Sequence, residues 1–457
     1  MLDANIRNIL MQVRDQAEKD GIQATLLLHH EKSHLMRIGN SSVSLNTSED
    51  LLRLDVVVTD GRKQGSETYL GAITDTGTVK RVLDSAREKA RVASAKTYEP
   101  IPDRVEVAIT EDPQFDVDLA DMEPGLKEEA YRRIFAELGD RYNFSGSWSS
   151  GAMEVYLLTT ANGNEAYHRG TDQLFSVVLK HPEKKWELMH QQTGWRVSDF
   201  KVEGTIDTIS KLLPVFENTE GFKPEPGEYT VIFGASAVSE IMTMAVWTGL
   251  NGRGWEEKQS WTSKYEPGQS ILGENISIVD DPGNPETFMF GFDLTGRKRR
   301  IFPLVGDGEL LNLMYDSGTA ARYGRKPTGH DTGSPSIVMD TGFGPSDPLE
   351  SVKDMGRVLY VPALHYMNIP SRSKGIFTGS SRFNALLVED GEIVSPIFSS
   401  RVTDSFQNVL GNVSVISSVS ESVNGSNTYG RRMPVASCVP SYIVSEGVKI
   451  TDSADSF

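Results

Sequence analysis

Residues 226–251 read PGEYTVIFGASAVSEIMTMAVWTGLN, and this stretch decides the fold. The apolar run Tyr229–Phe233 after Pro-Gly predicts a strand, and the small residues that follow predict a turn into a helix. Because serine is a good N-cap, the helix is expected to begin at Ser236 or Ala237. Its apolar side chains recur at helical spacing, so most of the helix is predicted to be buried. Glu240 is its single charged residue, either an anion near a helix N-terminus or a remnant of chemistry.

This strand–helix unit, with the chain that follows it, resembles the TldD/TldE (PmbA) metalloprotease family, once described as modulators of DNA gyrase. In the catalytic TldD-type subunit of that family, the helix carries His-Glu-x-x-x-His, two zinc ligands and a general base. The likeness covers most of the chain and is clearest from residue 226 to residue 417. It includes turns marked by Gly and Asp in FDLTGRKRRIFPLVGDGELLNLMYDSGTAARYG (292–324) and FTGSSRFNALLVEDGEIVSP (377–396).

The matching six residues of this chain run from Ser239 to Met244, and of the three family residues they keep the glutamate, Glu240. A hydroxyl and a thioether are poor ligands for a hydrolytic zinc, which is bound by imidazole, carboxylate or thiolate. Residues five positions apart also lie about 140° apart around a regular helix. A metal site there requires a bent helix, usually marked by Gly, and no Gly lies between the two ends. We therefore expect a helix that packs and holds no metal, as in the non-catalytic TldE-type subunit.

The family's catalytic subunit also supplies a cysteine thiolate to zinc from its C-terminal region. Alignment on Met-Pro-Val at 433–435 places that position near Ser426. Cys438, the one cysteine of the chain, lies later in an apolar run and is interpreted as a small buried hydrophobe. The degenerate site implied by the resemblance consists of Ser239, Glu240, Met244 and Ser426.

The composition indicates a globular protein of two or three domains, because the chain has 457 residues, 38% of them hydrophobic. The net charge of −17 and the lack of a basic stripe argue against a nucleic-acid partner. A single cysteine cannot form an internal disulfide, which fits a reducing compartment. The amphipathic, acid-containing start and the lack of an apolar run near ~20 residues predict neither a signal peptide nor a membrane span. We expect a soluble, cytoplasmic protein.

The order of predicted elements indicates an α+β fold with two domains. Residues 1–222 are predicted to form an N-terminal antiparallel sheet flanked by helices, of the TldD/PmbA type. Its first strand runs are Ile22–His30, His34–Asn46, Leu51–Thr59 and Arg62–Ala72. Asp60-Gly61 is a strong hairpin signal between the last two. Residues 223–457 contain short strands cut by Gly and Pro, which predicts a strand-rich, barrel- or sandwich-like domain that carries the degenerate helix.

Two short motifs resemble protease signatures. His30-Glu31-Lys32-Ser33-His34 matches His-Glu-x-x-His, which requires both histidines on one face of a helix. Its flanks are strand runs, so we interpret the motif as a hairpin with Glu31 at the tip of the loop. Asp331-Thr332-Gly333 and Asp340-Thr341-Gly342 resemble the aspartic protease signature, but they lie too close together to be two lobes and are interpreted as turns.

Four further residues are candidates for a groove that receives a peptide or the partner's active site: His330, His365, Arg382 and Asn384. For each of them, a solvated turn is the plainer interpretation. The basic run Arg297-Lys298-Arg299-Arg300 is interpreted as a solvated hairpin edge, because charged side chains protect exposed strands. The alternative is a surface that grips an acidic partner.

The resemblance implies a non-catalytic, TldE-like subunit of a cytoplasmic zinc-dependent peptidase that cleaves unfolded or short peptides. A TldD-like partner would supply the zinc and the glutamate base in a heterodimer, while this chain shapes the chamber. Two alternatives stay open. The chain could be an active metallopeptidase with a non-standard zinc site, at residues 30–34 or around His330. It could instead be a homodimeric peptide-binding or scaffold protein.

Overall fold

The computed structural model describes residues 3–330, 335–426 and 431–455. Its elements form an α+β fold, as the sequence predicts. The helices are α1 (Ala4–Lys19), α2 (Thr76–Val92), α3 (Val117–Ala120), α4 (Pro124–Leu138), α5 (Val202–Asn218), α6 (Ala235–Gly249), α7 (Gly252–Glu256), α8 (Ser317–Tyr323) and α9 (Phe406–Gly411). Within the described ranges, no helix has the length and apolar character needed to cross a membrane.

The N-terminal half contains a seven-stranded sheet. Its strands are β1 (Gln23–Gly39), β2 (Ser42–Asp60), β3 (Lys63–Leu70), β4 (Ile109–Gln114), β5 (Asn143–Thr159), β6 (Glu165–Lys180) and β7 (Glu187–Gly194). They lie in the order β3-β2-β1-β5-β6-β4, and β7 also pairs with β6. All of these pairs are antiparallel except β4 with β6.

The first strands are longer than predicted. β1 and β2 continue through residues 31–33 and 47–50, and the chain reverses at Asn40 and Ser41, which have φ of 50° and 59°. The predicted hairpin loop at Glu31 is therefore wrong, because that residue lies inside a strand. The hairpin predicted at Asp60-Gly61 is confirmed, with β2 and β3 in register on either side of it.

The two faces of this sheet are covered by different parts of the chain. Side chains alternate between faces along a strand. On one face, Leu28 of β1 packs against α1 and α2, and Trp148 of β5 lies edge-on to Tyr131 of α4. On the other face, Leu27 packs with Phe290 from the C-terminal half. The helices therefore flank one side of the sheet, and the C-terminal half covers the other.

The C-terminal half is strand-rich, as predicted. Its strands are β8 (Gly227–Gly234), β9 (Ile278–Asp280), β10 (Phe302–Gly306), β11 (Glu309–Leu310), β12 (Ile337–Met339), β13 (Arg357–Val361), β14 (Leu364–Ser371), β15 (Ile376–Ser381), β16 (Leu386–Glu389), β17 (Glu392–Pro396), β18 (Ser400–Ser405), β19 (Val413–Ile416), β20 (Ser420–Asn424), β21 (Ala436–Pro440) and β22 (Tyr442–Ser453). One sheet runs β14-β15-β18-β22-β8-β13-β16-β17, with β19 beside β22, and the other runs β11-β10-β9-β12-β21-β20. Neither sheet closes on itself within residues 227–330, 335–426 and 431–453, so these residues form no closed barrel.

Candidate active site

Helix α6 follows β8 directly and is buried on most sides. It begins at Ala235, one residue before the predicted start, with Gly234 as its N-cap. A Cβ at that glycine would lie 2.9 Å from the Cα of Pro362, so a larger residue has no room there. The apolar side of α6 joins a core shared by both C-terminal sheets through Val238, Ile241, Met242, Ala245 and Val246. The helix is thus primarily a packing element.

The residues that correspond to His-Glu-x-x-x-His point in different directions. Ser239 is only 7% exposed and lies on the buried side of α6. Met244 is partly buried at the edge of the core. Because the helix is uninterrupted from Ala235 to Gly249, these two residues lie about 140° apart around its axis. Their side chains therefore do not converge on one point.

Glu240 is an exposed carboxylate on this mostly apolar helix. The protein around it partly removes its hydration, and this desolvation raises the pKa of Glu240 above its ordinary value. No charge or hydrogen bond from the described residues contributes to offset that cost. The carboxylate is thus available to a group on another molecule.

A cavity of about 330 Å³ opens beside the outer side of α6. Met244 and Trp247 of α6 line it together with Ile337 of β12, and Gly425 and Val435 contribute from the region between β20 and β21. Most of these side chains are apolar, as is usual for ligand cavities. The structure therefore brings Met244 close to the segment where the resemblance placed the missing cysteine ligand.

Ser426, at that cysteine position, is committed to local structure. Its hydroxyl accepts a hydrogen bond from the Val435 N–H at 2.9 Å and lies 3.4 Å from the Val435 carbonyl. Within the described residues, no group of three or more His, Cys, Asp or Glu side chains could hold a metal ion. A buried hydroxyl, a thioether and a bonded hydroxyl do not fit a hydrolytic zinc. The helix of this chain therefore lacks the donor set of the family's catalytic subunit.

Cys438 does not replace that ligand. It is 5% exposed in β21, and its thiol lies 2.9 Å from the carboxylate of Glu286. Burial, and then the nearby carboxylate, raise the pKa of Cys438 to about 12. The thiol is thus protonated at neutral pH, and its burial agrees with its interpretation as a small hydrophobe. Of the two Asp-Thr-Gly motifs, Asp340 follows β12 on the surface, and residues 331–333 lie outside the described part of the chain.

The His-Glu-x-x-His motif lies inside β1 and cannot adopt zincin geometry. Alternation along the strand directs His30 and His34 to one face and Glu31 to the other. The two ring nitrogens of His30 lie 2.9 Å from Glu154 and 2.8 Å from Asp50. Burial disfavours the charged imidazole, but these two carboxylates outweigh that effect and raise the pKa of His30. His30 therefore belongs to an ion-pair cluster within the sheet, whereas His34 contacts the Ser48 hydroxyl and the Ala120 carbonyl.

His330, one of the predicted groove candidates, is buried. It is 3% exposed, its ring stacks on Phe302, and its Nδ1 donates to Asp280 at 2.6 Å. Asp280 also accepts from Arg299 at 2.7 Å. Burial alone would raise the pKa of Asp280, but the charges of Arg299 and His330 lower it. His330 therefore belongs to a buried salt-bridge network, away from solvent.

The basic run before β10 is half solvated. Lys298 and Arg300 are exposed. Arg299 points into the network at Asp280, and Arg297 lies 3.6 Å from Glu106 of the N-terminal half. The interpretation as a solvated hairpin edge therefore describes two of these residues, and the other two have structural partners.

His365, Arg382 and Asn384 do lie close together, at a junction between the two halves. Arg382 pairs with Glu187 of β7 at 3.0 Å. The Asn384 amide accepts from the N–H of Met189 at 2.9 Å and donates to its carbonyl at 2.6 Å. Burial, and then the charge of Arg382, lower the pKa of His365. These contacts tie β7 to the C-terminal half.

Arg432 is a buried residue that joins the two halves, and the sequence did not predict it as a site residue. Its Nε donates to Asp172 Oδ1 at 2.7 Å, and its second guanidinium nitrogen donates to the Asp172 carbonyl at 3.0 Å. Its backbone N–H donates to the carboxylate of Glu31, and its carbonyl lies 2.7 Å from His29 Nε2. Arg431 and Arg432 follow a stretch rich in Ser, Asn and Gly. Nothing in this local sequence indicates which acidic residues the two arginines contact.

The fold and the strand–helix unit define the C-terminal half as metallopeptidase-like, and comparisons with known proteins agree. Residues 226–452, about half of the chain, match the family model described as PmbA/TldA metallopeptidase C-terminal domain. The chain belongs to the TldD/TldE (PmbA) family. A metalloprotease of Methanothermobacter thermautotrophicus is 28% identical over 158 residues, which cover 32% of this chain and 34% of that protein. The match thus spans about a third of that relative's length.

Solved structures share the fold over nearly the whole chain. TldE from Thermococcus kodakarensis has a TM-score of 0.76 at 16% identity, with 98% of this chain and 100% of that chain covered. A Bacteroides thetaiotaomicron protein described as a modulator of DNA gyrase has a TM-score of 0.80 at 17% identity, covering 99% and 100%. A Thermotoga maritima protein of the same description has a TM-score of 0.79 at 14% identity, covering 97% and 100%. At these identities the likeness concerns the fold alone.

Proposed function

We propose that this chain is a TldE-like, non-catalytic subunit of a cytoplasmic zinc-dependent peptidase that cleaves unfolded or short peptides. The proposal rests on one observation, namely which side chains occupy the three expected ligand positions and what they contact. Ser239 is buried, Met244 is a thioether, and the Ser426 hydroxyl is hydrogen-bonded to Val435. Hydrolytic zinc requires stronger donors at these positions.

In this proposal a TldD-like subunit supplies the zinc and the general base. This chain contributes the apolar cavity beside Met244 and Trp247. Glu240 lies one turn earlier on the same helix, and no charge or hydrogen bond from the described residues offsets its desolvation. The family membership of the C-terminal half supports such a partner. The proposal includes that the substrates are peptides and that the two subunits form a heterodimer.

The test is a peptidase assay on an unstructured peptide library, with the purified chain alone, the zinc-bearing homologue alone, and the two mixed. We expect no hydrolysis by this chain, and chelator-sensitive hydrolysis by the pair. Replacing the general-base glutamate of the homologue by glutamine should abolish activity of the pair. Chelator-sensitive cleavage by the lone chain would overturn the proposal.

The alternative zinc site at residues 30–34 is tested with the same proteins. We expect the double variant His30→Gln and His34→Gln to leave the activity of the pair unchanged where the variant remains folded. Metal analysis of the lone chain should find no stoichiometric zinc in either form. Zinc that is present in the parent protein and lost in the double variant would favour the alternative.

A further inference from the structure

A second cavity lies where the two halves meet. Its volume is about 620 Å³, which is usual for a ligand site. Glu111 of β4 lines it from the N-terminal half, and Asp281 and residues 298–301 line it from the C-terminal half. Among the described residues, it shares none of its lining with the cavity beside α6. The two cavities are therefore separate candidate sites.

The basic run before β10 places two cations at this cavity, Lys298 and Arg300. Both side chains are exposed, and neither forms an ion pair within the part of the chain that the structure describes. The backbone of the run is fixed at two points. The Lys298 N–H donates to the carboxylate of Glu106 at 3.1 Å, and the next N–H, of Arg299, donates to the Gly291 carbonyl at 2.9 Å. Two cations on a fixed backbone can bind an anionic group with little ordering of the main chain.

Two carboxylates line the same cavity. Glu111 is held in place, because it accepts the N–H of Gly291 at 3.0 Å and lies 3.6 Å from His168 Nδ1. Burial alone would raise the pKa of Glu111, but these two contacts lower it, so the carboxylate is ionised at neutral pH. Asp281 accepts the N–H of Gly283 at 2.9 Å and forms no ion pair with the described residues. Both carboxylates can therefore accept from a cationic group in the cavity.

The charges at the cavity favour a ligand that carries both signs. Asp112, which also lines it, is paired with Arg169 at 2.9 Å, and Arg299 is paired with Asp280 at 2.7 Å. Two cations and two carboxylates are then left. A phosphate would be repelled by the carboxylates, and a polyamine would be repelled by the cations. The exposed side chain of Ile301 adds an apolar contact. A short peptide offers a carboxylate, an amino group and apolar side chains together.

We propose that this cavity binds a short peptide through groups of both charges. Lys298 and Arg300 bind a carboxylate of the peptide, and Glu111 and Asp281 bind its amino group. The carboxylate is either the C-terminus of the peptide or an acidic side chain. That the ligand is a peptide rests on the function proposed above, whereas the need for both charges rests on the residues that line the cavity.

The first test measures peptide binding to the full chain by isothermal titration calorimetry. The probes are a short peptide of alanine and leucine with free termini, its N-acetylated form and its C-amidated form. We expect each blocking group to weaken binding about fivefold, because it removes a charge that the cavity binds. A fourth probe adds one glutamate to the amidated peptide. Recovered binding supports the proposal with an acidic side chain as the source of the carboxylate, and unrecovered binding supports it with the C-terminus as the source.

A variant without the two carboxylate charges tests which residues bind the amino group. Glu111→Gln with Asp281→Asn keeps oxygen atoms that accept from the N–H groups of Gly291 and Gly283. It should bind the free peptide about as weakly as the parent protein binds the N-acetylated peptide. The N-acetylated peptide should bind both proteins equally, whereas a general distortion of the cavity would weaken both peptides alike.

A second variant removes the two cationic charges. Lys298→Gln with Arg300→Gln should weaken the binding of the free peptide about fivefold or more. Lys326→Gln with Lys449→Gln is the matched control, because these two lysines are exposed and lie outside the cavity. The control should bind the free peptide as the parent protein does. Circular dichroism verifies that each variant is folded.

Several results would overturn the proposal. These are equal affinity for all the peptides, no binding of the free peptide at millimolar concentration, and equal binding by the parent protein and both cavity variants. Inorganic phosphate that binds at Lys298 and Arg300 in preference to the peptides would also overturn it. If the mixed subunits hydrolyse peptides but binding here is independent of charge, this inference fails and the proposed function stands. Charge-dependent binding without hydrolysis by the pair would support this inference and contradict the proposed function.

Discussion

Arg432, in the C-terminal half, forms a buried ion pair with Asp172 of β6 in the N-terminal sheet. Its side chain is 2% exposed, and that of its partner Asp172 is 1% exposed. In Arg432→Met, the buried carboxylate of Asp172 loses its ion-pair partner and keeps, among the described residues, only a 3.4 Å hydrogen bond from the Asn424 amide. Removal of one member of a buried ion pair typically costs about 3–5 kcal/mol. We expect a loss of that size in the free energy of unfolding, measured by urea denaturation at pH 7. The control Arg132→Met breaks an exposed pair with Glu128 and should cost less than about 1 kcal/mol.

His29 gives the fold a dependence on pH. Burial, followed by the charge of Arg431, lowers the pKa of His29 from 6.5 to about 4. Between these values the unfolded chain binds a proton that the folded chain does not. This contribution to stability is therefore present near pH 7 and is lost as the pH falls through that range.

His29→Gln removes this proton-binding difference and leaves an amide that can donate to the Arg432 carbonyl. From pH 7 to pH 4.5, the parent protein should lose roughly 2–3 kcal/mol more stability than the variant, since one pKa unit corresponds to about 1.4 kcal/mol. Urea denaturation across the pH range measures the difference. Parallel stability curves for the two proteins would contradict the assignment, whatever the effect of the other titrating groups they share.

At the scale of one element, we expect the buried side of α6 to tolerate substitution less well than the side that lines the cavity. Ser239→His inserts a large polar ring on the buried side, and overpacking of this kind costs about 1–3 kcal/mol. Met244→His faces the cavity and should cost less than about 1 kcal/mol. Thermal denaturation compares the two single variants, and metal analysis of the double variant should find no stoichiometric zinc. Equal losses at the two positions would show that the sides of the helix are not distinguished in this way.

Elements with a local sequence pattern could be predicted, and those defined by distant contacts could not. The β8–α6 unit and the Asp60-Gly61 hairpin follow from apolar spacing and turn residues within the segment itself. Residues 31–33 were predicted as a loop between two strands, because three polar residues separate the apolar strand runs that end at His30 and begin at His34. In the structure His34 Nε2 lies 3.1 Å from the Ala120 carbonyl, and Glu31 on the other face meets Arg432. Contacts so distant along the chain leave no periodicity in the strand.

At the scale of the whole molecule, the packing of the two halves determines which of the four groove candidates lie close together. His365, Arg382 and Asn384 converge because β7 lies beside the turn that precedes β16. His330 lies elsewhere because Asp280 is a buried partner that its loop sequence does not reveal. The sequence could therefore identify candidate residues by their type. It could not predict which of them lie together, because that depends on how the two halves pack.

Substitutions at Asn384 measure how much this junction contributes to the free energy of unfolding. Its φ is 51°, in the left-handed region that asparagine tolerates better than alanine does. Asn384→Gly removes both hydrogen bonds to Met189 without backbone strain, and the unpaired groups should cost about 1–3 kcal/mol. Asn384→Ala removes the same bonds and adds roughly 1 kcal/mol or more of strain. Calorimetric unfolding should therefore rank the parent above the glycine variant and the glycine variant above alanine. If the alanine variant is as stable as the glycine variant or more stable, the turn can relax, and the junction does not impose the left-handed conformation at residue 384.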